Sequence, residues 1–73
     1  MNIFITGWKP GFNKIQFGAL LKECCGFSLS ESKRIVDLIL ERNQVSITVI
    51  PEFKEYFYEK APTLGVIFQE DKF

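Results

Sequence analysis

Apolar residues recur every three to four positions in the first half of the chain and alternate with polar ones elsewhere. Phe17, Leu20, Leu21 and Cys24 fall at i, i+3, i+4 and i+7, which is one stripe of an amphipathic helix. Asn13 ahead of them can accept an orphan backbone N–H, and Gly26 behind them suits a left-handed end position, so a helix is predicted over Lys14–Cys25. Ser28, followed by Glu31 to complete a capping box, opens a second helix over Leu29–Glu41. Its stripe is Ser32, Ile35, Val36 and Ile39, with Asn43 as its end residue. The other face of the first helix carries Ile15, Gly18, Ala19 and Lys22. Glycine inside a helix costs about 1 kcal/mol relative to alanine, so Gly18 predicts close approach of another backbone, from this chain or from a partner. On the second helix Lys33, Arg34, Asp37 and Glu41 form a solvated face, with Arg34 placed to meet Asp37.

Ile3–Thr6, Val45–Ile50 and Val66–Glu70 alternate with period two and are rich in β-branched and aromatic residues, so they read as strands. Gly7-Trp8-Lys9-Pro10-Gly11 is a loop. Its Trp8, together with Phe12, either caps the core or serves a partner. Pro51 is suited to open a third helix, with Phe53, Tyr56 and Phe57 turned inward and Tyr58 elsewhere; Pro62 stops that helix and Gly65 turns the chain. Asp71-Lys72-Phe73 is expected to be a frayed end. The predicted order is β-α-α-β-α-β. It implies an α+β fold: a three-stranded, mainly antiparallel sheet with three helices on one face. Ile3, Ile5, Val45, Ile47, Val49, Val66 and Phe68 would face the helices.

Composition narrows the function. With 73 residues and 47% hydrophobic content, the chain is expected to form one small globular domain over 1–73. Nine basic and nine acidic residues cancel, which argues against a nucleic-acid binder that works by neutralising phosphates. No stretch has the length of a membrane span, and the N-terminal segment lacks the pattern of a signal peptide, so cytoplasmic residence is expected. Cys24 and Cys25 are adjacent and cannot staple a loop. They read as one core thiol and one partly exposed thiol, with a redox or intermolecular role for Cys25 as the alternative. There is no histidine, and the carboxylates fall on outer faces or at termini. Neither a nucleophile–base pair nor a zinc site is expected, and no cofactor.

Several of these residues also resemble the C-terminal domain of the bacterial ribosomal stalk protein. Asn13-Lys14, Gly26-Phe27-x-Leu29, Glu31-Ser32-Lys33 and Ile35-Val36 match that family's motifs without a gap. The resemblance implies the same strand and helix order. It also implies a protein-binding face on the first two helices, which in the family recruits translation factors. Lys14 and Ile15 match its first pair, Lys22 its next positive charge, and Lys33 its lysine on the second helix. Gly18 and Ala19 stand where the family has an Ile-Lys pair, so the hydrophobic anchor and one charge are missing. The family's N-terminal dimerisation helices and Ala/Gly-rich hinge have no counterpart in this sequence. The adaptor that delivers N-degron substrates to the Clp protease shares the fold group, but Gly7–Gly11 replaces its acidic substrate loop.

The expected function is therefore a non-enzymatic, stand-alone protein-binding module of the immunity, antitoxin or adaptor kind, with one protein partner. The alternatives are a divergent stalk-like domain that binds translation factors and a structural homodimer. Period-two alternation turns Phe4, Thr6, Ser46, Thr48, Ile50, Ile67 and Gln69 away from the helices. In the stalk domain the positions of Phe4 and Ile67 are acidic. Phe4, Ile50 and Ile67 are thus expected to form an apolar contact surface, unless Trp8 or Phe73 folds over them. The candidate binding residues are Phe4, Trp8, Phe12, Lys14, Ile15, Lys22, Lys33, Ile50 and Ile67.

Overall fold

A computed structural model describes residues 2–70; the expected loose end at Asp71-Lys72-Phe73 lies outside them. In chain order the elements are β1 (Asn2–Trp8), α1 (Lys14–Cys25), α2 (Leu29–Leu40), β2 (Val45–Thr48), α3 (Lys54–Lys60) and β3 (Val66–Glu70). Short 3-10 turns at Pro51–Phe53 and Ala61–Leu64 flank α3. The sheet has three strands in the order β2-β1-β3, and β1 runs antiparallel to both neighbours. Ile3, Ile5, Val45, Ile47 and Val66 are buried on one face, against Phe17, Leu20, Leu21 and Cys24 of α1 and Ile35, Val36 and Ile39 of α2. The fold is α+β, with its helices on that one face.

The helix ends follow the local chemistry of their residues, with two departures. Asn13 Oδ1 accepts the Gln16 N–H at 3.1 Å, and Gly26, at φ 71°, closes α1 by donating its N–H to the Lys22 carbonyl. Ser28 Oγ accepts the Glu31 N–H at 3.2 Å. The Glu31 carboxylate, expected to complete the box, instead meets Arg34 at 3.2 Å. Arg34 thus pairs back along the helix with Glu31 rather than forward with Asp37. At the other end of α2 the left-handed residue is Arg42, at φ 67°, and not Asn43. Asn43 donates to the Leu38 carbonyl and Arg42 to that of Ile39, both at 3.0 Å, the paired bonds of a Schellman ending. The Arg42 guanidinium lies 4.5 Å from the centre of the Trp8 ring, a contact that rewards arginine at this backbone position.

A bulge in β1 decides where Trp8 goes. Ile5 pairs with Phe68, but Gly7 pairs with Ile67 and Trp8 with Val66, so Thr6 is the extra residue. Strict alternation would leave Trp8 on the open face with Phe4. The extra residue transfers it to the face of buried Val66. There Trp8 meets Phe12 (6.2 Å between ring centres), Phe12 meets Phe17 (5.8 Å) and Phe17 meets Phe57 (6.3 Å). Trp8 therefore closes one end of the core and does not cover the open face of the sheet.

α3 departs from expectation in its phase. Because Pro51–Phe53 winds as a 3-10 turn, the inward row is Phe53, Phe57 and Ala61, spaced i, i+4, i+8. Tyr56, expected inside, is 38% exposed, while Tyr58 packs on Phe68 at 5.6 Å. Next, the segment after α3 clamps the loop before α1: Lys9 donates to the Gly65 carbonyl at 2.8 Å and Asn13 to that of Leu64 at 2.9 Å. Gly65 has φ 88°, and a β-carbon there would sit 2.9 Å from Phe12 Cα.

Leu21 is fully buried, so Leu21→Ala is expected to cost about 2–5 kcal/mol in urea unfolding. Gly65→Ala is expected to cost more than about 1 kcal/mol, from left-handed backbone and steric contact together. A loss within error of zero at either position would contradict the packing described.

Candidate functional site

α1 is apolar on two faces, and only one of them reaches the core. The stripe Phe17, Leu20, Leu21 and Cys24 turns inward. Ile15, on the other face, is left 80% exposed. On α2, Leu29 is 65% exposed although Ser32 and Val36, one and two turns on, are buried. These faces meet in a groove of about 420 Å³ between the helices. Its α1 wall is Lys14, Ile15, Gly18, Ala19 and Lys22; its α2 wall is Leu29, Ser32, Lys33, Val36 and Asp37. The spacing makes each wall one helix face: Lys14, Gly18 and Lys22 repeat every four residues, as do Leu29, Lys33 and Asp37.

The floor is apolar and built of small or half-covered groups, while Lys14, Lys22 and Lys33 stand at the rim against a single carboxylate, Asp37. One polar atom belongs to the floor. Ser32 is 1% exposed and its hydroxyl has no hydrogen-bond partner. A buried hydroxyl left unpaired destabilises the isolated domain.

The structure brings Lys14, Ile15, Lys22 and Lys33 together in this groove. It does not bring Phe4, Ile50 and Ile67 together. β2 stops at Thr48, and the Ile50 N–H donates to the Cys24 carbonyl at 2.8 Å. The chain has by then left the sheet for the end of α1. The Ile50 side chain lies 3.9 Å from where a β-carbon of Gly26 would be, at the tip of the hairpin. Phe4, half-buried, and Ile67, exposed, share the open sheet face on adjacent strands. Their neighbours there are uncharged, with Thr48 donating to Asn2 Oδ1 at 3.0 Å and Thr6 to the Ile67 carbonyl at 3.4 Å. Trp8 and Phe12 are half-buried in the chain's own aromatic packing.

Leu29, Ser32 and Val36 are groove residues that a reading of the sequence assigns to a family motif or to the core stripe. The signal that marks Leu29 is its position, first residue of α2 and one turn before the buried row, where a core stripe begins only if something covers it.

Among the described residues no group of His, Cys, Asp and Glu gathers as a metal site, and no helix is long and apolar enough to cross a membrane. The two cysteines hold their protons. Burial, then the charge of Glu23, pushes the Cys24 thiol up to about 11. Burial, then Cys24, pushes Cys25 up to about 12. Neither is poised as a thiolate at neutral pH.

No protein-family model matches the chain, and neither a curated protein nor a solved structure matches it.

The thiols make stability depend on alkaline pH. Their folded values lie above the ordinary 9.0, so their contribution is whole below pH 9 and is lost as pH rises through about 11 to 12. Burial and Glu70 raise Tyr58 in the same sense. Unfolding free energy is therefore expected to fall above pH 9, and Cys25→Ser to fall less steeply than the parent. Superimposable slopes in urea titrations across that range would rule out the contribution of Cys25.

Proposed function

We propose that this chain is a non-enzymatic protein-binding module that takes one protein partner in the groove between α1 and α2. One observation carries the proposal: Ile15 and Leu29 stand exposed across an apolar floor, on a domain that has a separate, filled core. Large apolar side chains gathered around a concave surface, with charge at the rim, are the usual anatomy of a recognition site. The partner class is that of a stand-alone immunity protein, antitoxin or adaptor, in which one small domain meets one protein.

A second reading is favoured by a specific observation. Lys14, Ile15, Lys22 and Lys33, the residues that match the factor-binding face of the ribosomal stalk domain, line the same groove. It would make the chain a divergent domain of that kind, acting on translation factors. Gly18 and Ala19, in place of an apolar and a basic anchor, weigh against it. A homodimer through the uncharged sheet face around Phe4 and Ile67 is the remaining alternative.

The test is photo-cross-linking in the native host, with benzoylphenylalanine at Ile15 or Leu29 and, as control, at Thr48 on the open sheet face. A discrete protein adduct is expected from the two groove positions and not from Thr48. Adducts from Thr48 alone, or none from the groove, would overturn the proposal. For the second reading, purified elongation factors are expected to bind weakly or not at all. Micromolar binding abolished by Lys14→Glu with Lys33→Glu would instead establish it.

A further inference from the structure

Gly18 lies in the middle of a twelve-residue helix, where glycine lowers the folding equilibrium constant about fivefold relative to alanine. Packing within the chain does not require it. A β-carbon at Gly18 would meet only Val36 Cγ2, at 3.9 Å, an ordinary contact. The adjoining Ala19 is also small, so the α1 wall is recessed between Lys14-Ile15 and Lys22. The recess and the unpartnered Ser32 hydroxyl in the facing wall are independent features of one groove. The recess makes sense if another backbone comes close at this point.

We infer that the groove receives a single acidic, amphipathic α-helix of the partner, laid against Gly18 and Ala19. The inference rests on the hairpin being the binding face. Three observations select this occupant. First, both walls are helices, whose backbone groups beyond the first turn bond within the helix, so the groove offers no strand edge to an extended occupant. An extended segment would bury its own N–H and C=O groups without partners, whereas a helix satisfies them internally. Second, along α1 the groove runs from Lys14 to Lys22, about 12 Å at 1.5 Å per residue, which matches a stripe of two to three helical turns. Third, three lysines face one aspartate, which selects acidic flanks on the occupant. The same charges oppose a second copy seated groove to groove, because lysines would then face lysines.

The probe is a stapled helical peptide of about 14 residues, a length at which an unstapled helix is marginal in water. It carries Leu and Ala on one face and Glu on both flanks; its control has Lys for every Glu. Binding is followed by amide shifts of the labelled full chain. The Glu peptide is expected to shift Ile15, Gly18, Ala19, Leu29 and Lys33, and to bind at least about tenfold tighter than its control. Gly18→Leu, which fills the recess, should weaken it about tenfold or more. Gly18→Ala and Ser32→Ala should each raise the urea midpoint. Equal binding of both peptides, no binding, shifts on the sheet face, self-association through these residues, or a lower midpoint for Gly18→Ala would each overturn the inference. If the Glu peptide fails while Ile15 and Leu29 still cross-link a host protein, the occupant is wrong and the binding face stands. If those cross-links fail as well, the face itself is wrong.

Discussion

A continuous chain of aromatic contacts holds this small domain together, and the other features depend on it. From Trp8 through Phe12, Phe17, Phe57 and Phe68 to Tyr58, each ring touches the next at 5.3–6.3 Å. The series joins the central strand, the loop before α1, α1 itself, α3 and the edge strand β3. Phe17 and Phe57 are fully buried. Beside the aliphatic core of the sheet and hairpin, these aromatic side chains supply much buried area per residue. The bulge at Thr6 is what admits Trp8 to this series, and Gly65 lets the loop at Phe12 sit against the segment that follows α3.

That arrangement also explains why a surface is left over. The aromatic series and the sheet occupy the inner stripes of both hairpin helices. α1 nevertheless carries apolar or small residues on its second face, and α2 begins with an exposed leucine. Nothing else in the described residues lies over that side. The exposed side chains of Ile15 and Leu29 thus stand outside the buried core. Such features are better placed to serve recognition than folding.

The two outer surfaces differ in kind. The hairpin groove is concave and apolar with basic edges. The open sheet face is flat and uncharged, and its side-chain hydroxyls at Thr6 and Thr48 already have acceptors within the chain. An apolar patch through Phe4, Ile50 and Ile67 would have made the sheet the stronger candidate. The departure of the chain after Thr48 separates Ile50 from the other two and shifts the weight to the groove.

The sequence by itself determined the helical hairpin, the order of elements and the inward face of the sheet. Caps at Asn13, Ser28 and Gly26 and stripes of period 3.6 or 2 are local chemistry, readable within a few residues. Its spacing also put Ile15, Gly18, Ala19 and Lys22 together on the second face of α1. What only the tertiary structure decided lies where two distant segments compete for one position. The face of Trp8 depends on an extra residue opposite β3. Ile50 is drawn to the Cys24 carbonyl. Tyr56 and Tyr58 exchange roles because a 3-10 turn resets the phase of α3, and Arg42 takes the left-handed position with its guanidinium over Trp8. The surplus of Gly18 was equally invisible in one dimension. A glycine in a helix announces a close approach, but only the distance from its missing β-carbon to Val36 shows that no backbone among the described residues makes it.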